Sequence, residues 1–209
     1  MRYLVYVQEA VSENKKLILL MSVIFIISVA VGFIFQDIIY KEISPIFEKM
    51  VREFVNDPNS NLGFEIFINN IRASLLTYVL SVFFALMAVF SLILNGIILG
   101  AVGGAYMSAD PVYNGIMFLA LILPHGIFEI PALIFSSVAG ILLFKFIFKY
   151  LKTFVKRDDL SLKEILDMHK VIIKHSIILL ILSFVLFVIA AAIEGNFTGA
   201  FAKWIQTLF

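Results

Sequence analysis

A histidine and a glutamate stand four residues apart inside the apolar stretch LILPHGIFEIPAL, residues 121–133. On a helix, His125 and Glu129 share one face, so an imidazole–carboxylate pair can form. The pair would offset part of the cost of burying Glu129, which is about 2.5–3.5 kcal/mol for a charged side chain at the centre of a bilayer. Protonation of the carboxyl group is the other way to lower this cost.

Four roles are compatible with this pair, and the structural role is favoured. The pair can satisfy backbone groups freed by a helix break, relay protons or ions in a transporter, bind a lipid headgroup or other substrate, or serve a metal-dependent hydrolase. The last role is weakest, because His-x-x-x-Glu supplies two of the three ligands of a catalytic zinc and no Gly-x-Ser-x-Gly motif occurs. We therefore predict no catalytic residue, no metal site, no cofactor and no enzymatic activity.

The prolines around the pair predict an interrupted helix. Pro124 lacks a backbone donor and Gly126 is flexible, so a helix over 115–123 should end there. Pro131 should then kink the helix that restarts near Ile127.

The elements that hold these residues are predicted from composition. Of the 209 residues, 62% are hydrophobic and 22 are Phe, against roughly 45–50% apolar residues in soluble domains. Long apolar runs separated by short charged stretches are typical of a multi-pass membrane protein. The formal net charge of +1 argues against nucleic acid as a partner, and the absence of cysteine excludes disulfides and thiol chemistry.

Charge placement predicts the topology. Lys15 and Lys16 precede the first apolar run, so the positive-inside rule places the N-terminus in the cytoplasm of a cell-membrane protein. The predicted segments are a cytoplasmic start (1–16), a first span (17–35), an outer loop with an amphipathic helix (36–72), a core (73–148), a basic cytoplasmic loop (149–175), a last span (176–193) and an amphipathic tail (194–209).

The core must cross the bilayer an odd number of times, because its two ends are expected on opposite sides. Three crossings fit its length, at 73–93, 95–123 and 127–148, with the second broken near Asp110 and Pro111. A re-entrant element in 95–123 is the alternative. The predicted fold is therefore an all-α polytopic transmembrane bundle of five to six spans with a broken or re-entrant central segment.

Small residues predict where helices approach closely. Gly96, Gly100 and Gly104 form two overlapping Gly-x-x-x-Gly patterns, and a second small-residue stripe runs along Ala132, Ser136 and Gly140. The simplest pairing is between the two helices that carry these stripes, within one chain, and a homodimer interface is the alternative.

Other polar residues at apolar segments carry their own expectations. Asn95 should make an interhelical hydrogen bond, and Glu194 should lie solvated near the outer interface. Asn69 and Asn70, followed by Arg72, should cap the second span. In the basic loop, Ser161 and Glu164 have capping-box spacing.

These motifs, taken in order, resemble the stage II sporulation protein M-like family of integral membrane proteins. The resemblance covers roughly residues 64–196 and rests on FINNIR at 67–72, Asn95-Gly96 with Gly100, PHGxxE with Pro131-Ala132, and AAIE at 191–194. It implies a multi-pass plasma-membrane protein with no assigned catalytic activity. It also implies envelope protein partners, since the namesake assembles with a peptidoglycan-degrading protein in spore formers.

Two functional hypotheses follow. The leading one is a non-enzymatic membrane scaffold or assembly factor that contacts the lipid bilayer and membrane or envelope proteins. The alternative is a transporter or channel with a polar path lined by Asn95, His125, Glu129 and Glu194.

Overall fold

The computed structural model describes residues 2–45, 62–108 and 110–209. Every regular element in these ranges is helical, so the predicted all-α class is confirmed. The helices are α1 (Arg2–Glu13), α2 (Lys15–Ile34), α3 (36–45), α4 (Leu62–Leu80), α5 (Leu86–Met107), α6 (Pro111–Lys156), α7 (Leu162–Ile193) and α8 (Gly199–Gln206), with a π-helical turn at Glu194–Thr198 between α7 and α8. The predicted outer amphipathic helix is helical over 36–45, and its part at 46–61 lies outside the described residues.

Four helical rods in the described ranges are long and apolar enough to cross a membrane: α2, α5, α6 and the continuous rod from α7 to α8. The fifth long helix, α4, has 19 residues and is more polar. These bounds differ from the predicted crossings. A turn at 81–85 separates α4 from α5 where one span over 73–93 was expected, and the turn near Asp110 separates two complete helices instead of two half-helices.

The contacts between side chains fix the direction of each helix. Gly96 of α5 lies against Phe25 and Ser28, and Gly104 lies against Gln36, so α5 runs parallel to α2. Asn70 contacts Glu129 and Ser81 contacts Gly140, so α4 runs parallel to α6. The long helices α6 and α7 are antiparallel and are joined by the short loop at 157–161.

The predicted helix interruption at Pro124 is wrong, because α6 continues through Pro124 and Pro131. A proline removes one hydrogen bond from a helix, and the packing of neighbouring helices can hold the remaining turns in place. The proline that marks an end of α6 is Pro111, at its N-terminus. Asp110 accepts hydrogen bonds from the backbone nitrogens of Val112 and Tyr113, at 3.2 and 3.0 Å, and Pro111 occupies the first turn.

Gly96, Gly100 and Gly104 of α5 pack against α2 and not against the Ala132–Ser136–Gly140 stripe, although α5 and α6 are in contact elsewhere, where Gly103 lies against Phe118 and Ala88 lies against Gly140. A Cβ atom at Gly100 would overlap the backbone of Val29 and Phe33, and a Cβ atom at Gly32 would overlap the backbone of Ile97. The two backbones therefore touch through reciprocal glycines, as in close transmembrane pairs. Gly140 instead lies against Ser81 and Ala88. A homodimer through another surface stays a prediction.

The apolar layer of the bundle that α2 spans, called the apolar slab below, can be located along α6. Asn14, just before α2, contacts His175, and the adjacent Ser176 donates to the carbonyl of Ala139. At its other end, α2 places Phe33 in one groove with Leu119 and Ile122. The slab spanned by α2 therefore corresponds to about 20 residues of α6, from about 120 to 139, or about 30 Å. Beyond Ala139, α6 and the start of α7 continue as a hairpin that carries one charge up to residue 148, at Lys145, and is densely charged from Lys149 to Lys174; it is called the charged hairpin below.

The direction of the bundle in the membrane can be tested by thiol labelling, because the chain has no cysteine. With the N-terminus in the cytoplasm, Lys41→Cys should react with a membrane-impermeant maleimide added to intact cells. Asp158→Cys should react only after the cells are permeabilised. The reverse pattern would show that the N-terminus lies outside.

The capping box predicted at the start of α7 is present. The Ser161 hydroxyl accepts from the backbone nitrogen of Glu164 at 3.3 Å, and the Glu164 carboxylate accepts from the backbone nitrogen of Ser161 at 2.8 Å. The hydrogen bond from the Ser161 hydroxyl is the main cause that lowers the pKa of Glu164 below its ordinary value.

Ser161→Ala should therefore lower the thermal midpoint by a few degrees at neutral pH. Because the folded-state pKa of Glu164 is lowered, the stabilisation by its ionised form is present above the unfolded-state pKa. It is lost as the pH falls through the lower folded-state pKa. The difference between Ser161→Ala and the wild type should shrink below about pH 4, as followed by circular dichroism. A difference that is constant with pH would contradict this account.

Candidate functional site

The candidate site is a polar cluster centred on His125. Its Nε2 atom lies 3.7 Å from Glu129 Oε2, and its Nδ1 atom lies 2.6 Å from Glu194 Oε2. Asn70 donates to the other oxygen of Glu129 at 2.7 Å, and the hydroxyl of Thr198 lies 3.4 Å from His125 Nδ1. The imidazole thus stands between two carboxylates, each supplied by a different part of the fold.

A π-helical turn brings Glu194 into the cluster. Glu194–Thr198 adds an extra residue to the helical turn, and it places Glu194 and Thr198 together at His125. The side chain of Glu194 is only 14% exposed, so its expected solvation is wrong. Its Oε2 atom has no well-directed hydrogen bond within the described chain, although it touches the imidazole.

The cluster joins three long helices. Asn70 links α4 to Glu129 on α6, and His125 links α6 to Glu194 at the end of α7. A second link lies one level further along the bundle, where Ser176 of α7 donates to Ala139 O at 2.8 Å and lies 2.9 Å from the Tyr78 hydroxyl of α4. Polar contacts at two depths therefore fix α4, α6 and α7 relative to one another.

The cluster lies near the middle of the apolar slab. Glu129 is ten residues from Ala139 on α6, which is about 15 Å or half the hydrocarbon thickness. A net charge at this depth is costly. The cluster is neutral when two titratable protons are shared by His125, Glu129 and Glu194, either as an imidazolium with one carboxylic acid or as a neutral imidazole with two. The cluster offers a carboxylate–imidazole–carboxylate group, in which a proton can pass between neighbouring members.

A cavity of about 300 Å³ reaches the cluster from the side of α5. Asn95, His125 and Glu129 line it together with apolar residues such as Phe25 and Leu133. The cavity shares Leu99, Phe118, Ile122, Gly126 and Ile130 with a groove of about 560 Å³ between α2, α5 and α6. Because the groove lining is almost entirely apolar side chains, the polar side chains that border this space in the described chain are those of the cluster and Asn95.

Several predicted site residues have other partners than expected. Asn95 donates to Ser91 O on its own helix at 2.8 Å, so the expected interhelical bond is not made by this amide group. Asn69 and Asn70 lie within α4, so the predicted cap is wrong. Asn70 faces the cluster, whereas Asn69 and Arg72 are exposed on the outward face of the helix.

Sequence reasoning missed Thr198, Tyr78 and Ser176. A hydroxyl residue in an apolar helix is compatible with many partners, since it can also bond to its own backbone. The one local signal was Gly195 directly after Glu194, which breaks the apolar pattern at the π turn. Its consequence for the direction of Glu194 depends on the helix geometry and cannot be read from spacing.

The arrangement is unsuited to a metal ion. Glu129 and Glu194 approach opposite nitrogen atoms of the His125 ring, so the three groups do not converge on one point. In residues 2–45, 62–108 and 110–209, no group of three His, Asp or Glu side chains could hold a metal ion.

Comparison with known proteins decides the family. A sequence model of the stage II sporulation protein M family matches residues 21–199. The chain belongs to the stage II sporulation protein M family. The match contains every residue of the cluster, from Asn70 to Thr198, and the resemblance noted from the sequence is confirmed.

Relatives in this family include two uncharacterized proteins of Methanocaldococcus jannaschii. One is 32% identical over 91% of this chain and 85% of its own length, and the other is 33% identical over 85% of this chain and 93% of its own length. No solved structure matches.

Proposed function

We propose that this chain is a non-enzymatic membrane scaffold or assembly factor, inserted in the cell membrane with its N-terminus in the cytoplasm. The observation that carries the proposal is the polar clamp, defined as Asn70, Glu129, His125 and Glu194. These four side chains contact one another across three helices. Polar groups that bond within a bundle hold its helices in one arrangement, which is what a docking platform requires.

Two further features support an assembly role. The link from Tyr78 through Ser176 to Ala139 fixes the same three helices at a second depth. In addition, the helices α2 and α5 are in backbone contact through glycines. A bundle fixed in this way offers a stable outer surface to other membrane proteins, and the namesake of the family is a precedent for assembly with an envelope protein.

The test compares proton flux with stability. Proteoliposomes that contain the wild-type chain should show no proton flux above empty liposomes under a pH gradient. Glu129→Gln should lower the thermal midpoint and the co-purification of membrane partners, because the clamp loses the carboxyl group that contacts both Asn70 and His125. Wild-type flux that Glu129→Gln abolishes, while the variant stays fully stable and assembled, would exclude the scaffold. Glu13→Gln, at an exposed position at the end of α1, is the matched control for the substitution itself.

A transporter is the second candidate, and the cavity beside Asn95, His125 and Glu129 is the observation that favours it. A carboxylate–imidazole–carboxylate group that borders a cavity at mid-bilayer is an arrangement suited to a proton relay. The apolar groove beyond the cavity counts against a path for ions, because it offers no polar side chains in place of water. The flux measurement above distinguishes the two candidates.

A further inference from the structure

The outward face of α4 carries polar residues where lipid chains would be expected. Asn69 and Arg72 are three residues apart and both exposed, while the neighbouring Asn70 points inward to Glu129. The same face continues with Leu76, which is 61% exposed, and Val79, which is 56% exposed. One helix face thus combines an amide and a guanidinium with large apolar side chains.

The depth of Arg72 follows from the register of α4 on α6. Asn70 contacts Glu129 and Ser81 contacts Gly140, so Arg72 is level with about residue 131 of α6. This position is about 12 Å from the level of Ala139 and about 17 Å from the other end of the slab. Snorkelling requires a headgroup within reach of the side chain, and neither membrane surface is that close.

A charged side chain inside the hydrocarbon normally pairs with an opposite charge or faces water. None of the ion pairs within the described part of the chain includes Arg72. The two carboxylates at this depth in the described chain, Glu129 and Glu194, are held at His125. Among the described residues, no carboxylate at this depth is therefore free to supply a counter-charge for Arg72.

A second copy of the chain is a poor source of this charge. It would bring another Arg72 to the interface, and like charges at low dielectric repel. Its described carboxylates at this depth are enclosed in its own polar clamp. A lipid phosphate is also a poor source, because the headgroups are too far away.

We propose that the face of α4 formed by Asn69, Arg72 and Leu76 is an intramembrane docking surface for another protein. Its ligand is a transmembrane helix that carries an aspartate or glutamate at the depth of Arg72. The carboxylate pairs with the guanidinium, and the apolar residues of the helix pack on Leu76. This inference rests on the proposed assembly role and assigns the partner by its chemistry.

The test uses a defined transmembrane peptide, so an unknown partner is not required. The peptide is a Leu/Ala helix with one Asp at mid-depth and a fluorescent acceptor, and it is reconstituted in nanodiscs with the chain labelled at Phe83→Cys, an exposed position in the turn after α4 that lies outside the docking surface. Energy transfer should show association at least tenfold stronger for the Asp peptide than for a peptide with Leu at the same position. Arg72→Leu should remove this preference, and Arg72→Glu should transfer it to a Lys peptide.

The control label is Ile127→Cys on α6, which is 56% exposed but lies on another helix; a peptide docked on α4 should give weaker energy transfer to it. Equal association of the Asp and Leu peptides, or an Asp preference that survives Arg72→Leu, would overturn the proposal. So would disulfide formation between two Leu76→Cys chains, which would assign the face to a second copy. Rapid reaction of Arg72→Cys with a water-soluble maleimide would show that the position faces water, and would equally overturn it.

The peptide result is independent of the flux test. If the peptide fails to bind and the chain conducts no protons, the assembly role must use another surface. If the chain conducts protons and the peptide binds, the scaffold is wrong but the docking surface remains.

Discussion

Gly100→Leu should destabilise the bundle by about 3 kcal/mol or more. The first side-chain carbon would overlap the carbonyl of Val29 and the backbone nitrogen of Phe33. Those atoms belong to a helix backbone, so they cannot rotate away as a flexible side chain would. The expected result is a large loss of folded protein in detergent, measured by thermal unfolding followed by size-exclusion chromatography.

The matched control is Gly199→Ala in α8. A Cβ atom there meets nothing within 4 Å, and alanine is favoured over glycine in a helix by about 1 kcal/mol. This variant should be as stable as the wild type or more stable. If Gly100→Leu behaved like Gly199→Ala, the backbone contact between α2 and α5 would be refuted.

His125→Leu should destabilise the bundle by about 3–5 kcal/mol, the usual effect of removing one partner of a buried charged group. The change leaves Glu129 and Glu194 without the imidazole that separates them. The loss of stability should arise from the two carboxylates left without a partner, and not only from the lost packing of the imidazole ring. The triple variant His125→Leu, Glu129→Gln, Glu194→Gln should therefore recover most of the stability.

His169→Leu is the control for the loss of an imidazole. His169 lies 3.0 Å from the Thr153 hydroxyl in the charged hairpin, so its removal should cost only about 1 kcal/mol. Thermal midpoints of the three variants in one detergent give the comparison. A triple variant no more stable than His125→Leu would show that packing of the ring, and not charge, explains the effect.

The sequence allowed some of this arrangement to be predicted because the relevant signals are local. Apolar composition predicts the helical class, and the four-residue spacing of His125 and Glu129 is a property of one helix. The turn at 81–85 left no such signal. Its residues, SVFFA, contain no proline, glycine or charge, so it lies unmarked within an apolar run.

Contacts between distant segments could not be predicted from the sequence, for a different reason. The spacing of Gly96 and Gly100 predicts close approach by another backbone, but it carries no information on which backbone. The direction of Glu194 depends on the extra residue in the π turn, which rotates everything after it. The role of Asn70 depends on α4 beginning at Leu62 and not at residue 73.

The parallel pairing of α2 and α5 has a consequence for how the protein is made. About 65 residues separate Ile34 from Gly100, so α2 leaves the ribosome long before its glycine partner exists. At typical synthesis rates the delay is on the order of 3–13 s. During that time Ser28 and Gly32 of α2 face lipid or the insertion machinery instead of α5. During biogenesis α2 must therefore stay unpaired until α5 is inserted. Correct assembly of the bundle then depends on the order of insertion as well as on the sequence.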